Sequence, residues 1–206
     1  AGYQGLLVTL PFYDVLQTEQ DDHKFIFKGG EYPPYWILKD SVYGILVAPP
    51  CTMFSFARTK ANTQRDLTEG MECVRACLDI IWSCMEVKRE TKIRTSPLKF
   101  WALENPNGML KYFLGKPAFE FNPYDFGDNY KKRTCLWGYF NDPKKSPIEL
   151  TPEAKRKAYT NSQKLPKFDY MKSKDIHPEY FGKLGGQARR AITPQGFAKA
   201  FFNANP

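Results

Sequence analysis

Two short apolar runs on either side of one long amphipathic stretch constrain this chain most. Residues 43–48 read Tyr-Gly-Ile-Leu-Val-Ala, a run without polar alternation that suits a strand buried on both faces. Residues 99–103 form a second such run. Between them Leu67, Met71, Val74, Leu78, Ile81 and Met85 recur at steps of three and four, which predicts an amphipathic helix from Asp66 to about Arg89. Asp66 stands as its N-cap, and Glu69 completes a capping-box spacing. Strand, helix and strand in succession predict an α/β domain with a mostly parallel sheet, since parallel neighbours need a crossover. A third strand is expected at 133–137 and a short helix at 109–114. A final helix is expected to open at Pro194 and to line up Phe197, Phe201 and Phe202 on one side. Towards the N-terminus, 6–10 read as a strand and 13–15 as a second extended piece. Residues 17–41, punctuated by Gly29-Gly30 and Pro33-Pro34, read as a surface excursion with a short helix or hairpin.

The 206 residues suffice for one domain with a sizeable core. Thirty Lys and Arg against 22 Asp and Glu leave a net charge of +8, which favours a polyanionic partner. No apolar run reaches membrane-spanning length, so no membrane partner is expected. The N-terminal residues carry no basic region ahead of their short apolar stretch, so no signal peptide is expected either. An odd count of five cysteines points to a reducing compartment, and so to the cytoplasm. Cys73, Cys77 and Cys84 share the long helix and read as small buried hydrophobes. His23 and His177 lack ligand partners at zinc spacing, so no metal is expected.

Each apolar run ends in a short polar motif: Pro49-Pro50-Cys51 after the first, Glu104-Asn105-Pro106 after the second. Sites in open α/β sheets form at the carboxyl ends of the strands. Two prolines stiffen the segment that presents the Cys51 thiol. A carboxylic acid on the neighbouring strand, Glu104, can serve as general acid or base. Neither histidine is near Cys51 in sequence, which disfavours a Cys-His protease. A thiolate assisted by a carboxylic acid suits attack on an electron-poor heterocycle instead. Taken singly, each motif has a plainer reading: a loop cysteine, an Asn-Pro turn, and a solvated charge run at Lys131, Lys132 and Arg133. Tyr3, Phe12 and Tyr13 read as core rings.

Taken together, Ala48-Pro49-Pro50-Cys51-Thr52-Met53-Phe54-Ser55 and Leu103-Glu104-Asn105-Pro106 resemble the Pro-Cys and Glu-Asn motifs of the cytosine-C5 DNA methyltransferases. The third residue of the second motif is often Val in that family and is Pro here. The likeness is greatest to compact bacteriophage-type members, through 101–106, 114–117, 122–128, 131–138 and 189–203, and it covers most of 43–140 and 178–205. The resemblance implies an α/β, Rossmann-like S-adenosylmethionine-dependent methyltransferase fold, with double-stranded DNA as partner and, if the chain is virus-encoded, the host cytoplasm as its location. It implies that a cytosine is flipped into a pocket, that Cys51 adds to C6, that Glu104 contacts N3 and favours its protonation, and that Arg133 contacts O2. It implies that Asn105 holds the Pro-Pro-Cys loop, that Ser55 touches a phosphate beside the flipped nucleotide, and that Arg58, Asn105, Lys131 and Lys132 lie on the DNA side. S-adenosylmethionine is the implied cofactor, with Pro49 and Asp14 as candidate contacts.

The chain departs from the family in two places. The Gly-rich cofactor turn of the form Phe-x-Gly-x-Gly is absent, and Ala1-Gly2-Tyr3 resembles the residues that follow it. No acid for the ribose stands at Leu10-Pro11-Phe12. An N-terminally truncated fold is therefore expected, with a partner chain or a missing N-terminal segment at an exposed sheet edge. Residues 1–206 read as a single methyltransferase-like domain, in which 141–176 form a small basic insertion in place of a target-recognition domain. Lys144, Lys145, Lys155, Arg156 and Lys157 there suit phosphate contacts. Two alternatives stand beside the active enzyme: a DNA-binding or decoy relative that has lost its cofactor, and an RNA cytosine-C5 methyltransferase.

Overall fold

The structure, a computed structural model, describes residues 19–20, 24–27, 35–38, 42–56, 58, 62–85, 98–128, 130–147, 182–184 and 191–206. The strand expected at 6–10, the piece at 13–15 and the candidate Asp14 lie outside the described residues. The excursion expected at 17–41 holds three strands, β1 (Glu19–Gln20), β2 (Lys24–Phe27) and β3 (Tyr35–Leu38). They pair antiparallel in the order β1-β2-β3.

A second sheet holds β4 (Gly44–Val47), β5 (Phe100–Pro106), β6 (Phe119–Phe121) and β7 (Thr134–Tyr139) in the order β4-β5-β7-β6. The architecture is α/β, but the sheet is mixed where a mostly parallel one is expected. β4 and β5 run parallel, whereas β6 and β7 run antiparallel. The connections explain the difference. A long helix, α1 (Leu67–Met85), lies between β4 and β5 and allows a crossover. The short link between β6 and β7, in which a 3-10 turn spans Pro123–Phe126, returns the chain alongside itself.

The chain divides into two compact units: 1–116 with 137–140, and 117–136 with 141–206. In the first unit α1 packs on the β4–β5 pair through Ile45, Ile81 and Cys84, with Val42, Val47, Leu78, Leu98 and Trp101 around them. The Asp66 carboxylate accepts the Glu69 N–H at 2.9 Å, so the expected N-cap is formed. The buried stripe of α1 is Gly70, Cys73, Val74, Cys77, Ile81 and Cys84. It is turned from the expected one: Met85 is exposed and Leu67, Met71 and Leu78 are half-buried. The three cysteines are buried, as expected, and Cys84 packs with Ile45 of the sheet. β4 is not buried on both faces either. Ile45 is covered while Leu46 is 66% exposed, because alternate residues of a strand face opposite ways.

The core of the second unit is aromatic. Phe121 stacks on Phe197 at 4.0 Å and 11°, and Phe126 meets both edge-on. Later in the chain than the short helix α2 (Lys111–Leu114), α3 (Gln195–Ala204) supplies Phe197 and Phe201, one turn apart and both buried. Phe202 is exposed, because its next-residue step of about 100° carries it off the buried stripe. Pro194 stands at the N-cap, one position before the helix it was expected to open, and its carbonyl accepts the Ala198 N–H at 2.9 Å. The end of α3 is held by paired amides: Asn141 N–H donates to Asn205 Oδ1 at 2.7 Å, and Asn205 Nδ2 donates to the Asn141 carbonyl at 3.1 Å. Residues 141–147 form no regular structure. Among the described residues no helix is long and apolar enough to cross a membrane.

Candidate active site around Cys51

Parallel pairing brings the two polar motifs together. Gly44 pairs with Phe100 and Val47 with Leu103, so Ala48 and Glu104 each follow the last matched pair, at the same end of the sheet. β5 continues through Glu104-Asn105-Pro106, where the sequence places that motif beyond a strand end. β4 stops at Val47, and the chain turns away through Pro49 and Pro50. Asn105 is 1% exposed and its Nδ2 donates to the Pro49 carbonyl at 2.9 Å. The amide that the resemblance assigns to the Pro-Pro-Cys loop is thus bonded to that loop across 56 positions of sequence. The Asn105 Oδ1 is buried and accepts no hydrogen bond among the described residues.

Cys51 opens a tight turn, its carbonyl accepting the N–H groups of Phe54 at 3.0 Å and Ser55 at 2.8 Å. Four further features hold that turn. Phe54 is fully buried. The Met109 N–H donates to the Phe54 carbonyl at 2.8 Å, beside a backbone bridge between Ser55 and Gly108. Arg65 donates from its two terminal nitrogens to the carbonyls of Met53 and Ser55, each at 2.8 Å. Two glycines permit the close approach: a Cβ on Gly108 would stand 2.4 Å from the Phe54 carbonyl oxygen, and one on Gly70 of α1 would stand 3.0 Å from Met53 Cβ. Arg65 and Gly108 were not singled out from sequence. Arg58, Lys60 and Arg65 form a basic stretch in the sequence, but which of these cations folds back on the loop depends on tertiary geometry.

Of the five cysteines, Cys51 alone is half-buried, and Cys73, Cys77, Cys84 and Cys135 are buried. The hydrogen bond shared with Cys73, followed by burial, pushes the Cys77 thiol well above its ordinary value, which makes that thiol a poor nucleophile at neutral pH. Accessibility and chain geometry therefore single out Cys51. Glu104 on the adjoining strand is half-buried.

The remaining candidates divide between the two units. Arg58 belongs to the first, and its guanidinium turns onto its own loop, donating to Thr63 Oγ1 at 2.7 Å. Ser55 is half-buried beside the same turn. Lys131, Lys132 and Arg133 belong to the second unit. Arg133 Nε donates to Glu120 Oε2 at 2.9 Å, and this bond with the carboxylate's charge raises the guanidinium above its ordinary value. Lys131 Nζ stands 5.8 Å from the centre of the Tyr124 ring. The Lys132 carbonyl accepts the Thr134 hydroxyl at 2.9 Å.

S-adenosylmethionine needs hydrogen-bond donors for its carboxylate and acceptors for its ribose and ammonium groups. Of the two contacts that the resemblance names for it, Pro49 is buried with its carbonyl accepting the Asn105 Nδ2, and Asp14 lies outside the described residues. No protein-family model matches the chain, and no curated protein matches its sequence.

Proposed function

We propose that the chain acts on DNA cytosine in the manner of a cytosine-C5 methyltransferase, with a Rossmann-like methyltransferase fold and Cys51 as the nucleophile. One observation carries the reading. The parallel β4–β5 register and the Asn105–Pro49 hydrogen bond bring the loop that carries the half-buried Cys51 and the half-buried Glu104 to the same end of the sheet. The net charge of +8 suits the polyanionic substrate.

The chemistry of the two groups is as follows. A cytosine leaves the duplex stack, and the Cys51 thiolate forms a bond to C6. The C5–C6 π pair moves towards the ring's N3, which takes the proton of Glu104. Carbon 5 is then electron-rich and bonds an electrophile. Removal of the original C5 hydrogen restores the double bond and expels Cys51, while the N3 proton returns to Glu104. S-adenosylmethionine would supply the electrophile as a methyl group. Solvent supplies a proton in its place, so addition and reversal at Cys51 exchange the C5 hydrogen with water.

That exchange is the test. Duplex DNA carrying tritium at cytosine C5 releases it to water in the presence of the chain, and Cys51→Ser abolishes the release. Release that persists in Cys51→Ser removes Cys51 from its role. With S-adenosylmethionine added, 5-fluorocytosine DNA forms a stable adduct, since the fluorine blocks the last elimination.

The alternative reading is a DNA-binding or decoy relative without methyl transfer. It requires DNA binding and no tritium release. An RNA substrate run beside the DNA tests the RNA methyltransferase reading.

A further inference from the structure

A second cluster sits on the segments that hold the Cys51 turn. Phe56 follows Ser55 and is 45% exposed, while Tyr112, at the start of the short helix α2 (Lys111–Leu114), is 70% exposed. The Lys111 ammonium stands 5.6 Å from the Phe56 ring centre and 5.5 Å from that of Tyr112, so one cation bridges two exposed rings. The support beneath is packed and hydrogen-bonded. Leu110 is fully buried, and Phe113 meets the buried Phe54 edge-on at 6.2 Å. The Tyr112 N–H donates to the Met109 carbonyl at 2.9 Å. The backbone pairing at Phe54, Ser55, Gly108 and Met109 ties this cluster to the Cys51 turn.

We propose that Phe56, Lys111 and Tyr112 form a stacking platform for unpaired bases of the DNA strand opened beside the target cytosine. This rests on the nucleic-acid reading above. Exposed rings in a fixed frame stack on any base, and a cation between them meets the phosphate that links successive bases. Burial does not fully account for the rings, since about half of Phe56 and most of Tyr112 stay in water. The extrusion of a base leaves its neighbours partly unstacked, and aromatic faces held beside the nucleophile's loop replace that lost stacking.

The test is fluorescence anisotropy with a labelled DNA single strand and with an abasic strand of equal length. Phe56→Ala and Tyr112→Ala each weaken binding to the base-bearing strand by about 5- to 150-fold and leave the abasic strand unchanged. Phe56→Tyr, which keeps a ring, retains wild-type affinity. Equal losses on both strands, or no loss, overturn the platform. A strand bearing 5-iodouracil cross-links to Phe56 or Tyr112 in the wild type, and cross-links confined to other residues overturn it too. Competition by an acidic peptide that depends on the same rings would assign the cluster to a protein partner and overturn it. Tritium release read in the same samples separates the two ideas. Ring-dependent binding to bases without release sustains the platform and removes the methyltransferase reading; release without ring-dependent binding does the reverse.

Discussion

Replacing Asn105 separates what it contributes to folding from what it contributes to the site. Its Nδ2 satisfies the buried Pro49 carbonyl, while its own Oδ1 is buried and accepts no hydrogen bond among the described residues. Asn105→Leu, close in size, orphans the carbonyl, at a cost of about 1–3 kcal/mol, and removes an orphaned oxygen worth about the same. The two offset each other, and the change in unfolding free energy is expected to fall within about 1 kcal/mol of zero. Tritium release should nevertheless drop, because the Pro-Pro-Cys loop has lost its tie to β5. Asn105→Asp behaves differently. At neutral pH it sets a carboxylate against a carbonyl oxygen in a position that is 1% exposed, which costs about 3–5 kcal/mol. Burial raises the pKa of the introduced carboxyl in the folded state. Its neutral form can donate to the Pro49 carbonyl, so the bond is present below the unfolded value of about 3.9. Stability then falls as pH rises, by about 1.4 kcal/mol per unit, until the folded value is passed. Urea unfolding followed by tryptophan fluorescence between about pH 4 and 7 reads both variants against wild type. A loss above about 3 kcal/mol in Asn105→Leu, or a pH-independent loss in Asn105→Asp, refutes this account of the Asn105 environment.

Other variants probe the remaining parts of the site. Glu104→Gln keeps the shape and loses the proton, so tritium release should fall by about 10²–10⁴-fold with DNA affinity unchanged; unaltered release makes Glu104 a strand residue only. Gly108→Ala drives a Cβ against the Phe54 carbonyl oxygen and should cost about 1–3 kcal/mol in thermal unfolding. Arg65→Met removes both donors to the Cys51 turn and should cost about 1–2 kcal/mol after allowance for partial exposure, with slower release; full activity would show that the turn holds without it.

Local chemistry made much of the first unit legible. The spacing of apolar residues in α1, its Asp66 cap and the strands at Ile45 and Leu103 follow from periodicity and capping, which act within a few residues. The long crossover also implied the parallel pair, and with it the meeting of Pro49-Pro50-Cys51 and Glu104-Asn105-Pro106. The antiparallel β6–β7 pair was less legible. Phe119–Phe121 is three residues long, too short to show a period, and its identity as a strand depends on the partner it meets.

The sequence by itself determined which residues could do chemistry here: a cysteine between prolines and a threonine, an acid at the end of an apolar run, and a surplus of cations. Those are properties of side-chain type and chain order. Only the tertiary structure decided which of them are available. It turns Arg58 and Arg65 inward onto their own loop, pairs Arg133 with Glu120, buries four thiols and leaves Cys51 half-exposed, and spends the Asn105 amide on a carbonyl 56 positions away. Hydrogen bonds and burial join residues by distance in space, and that distance is set by packing between elements rather than by position along the chain.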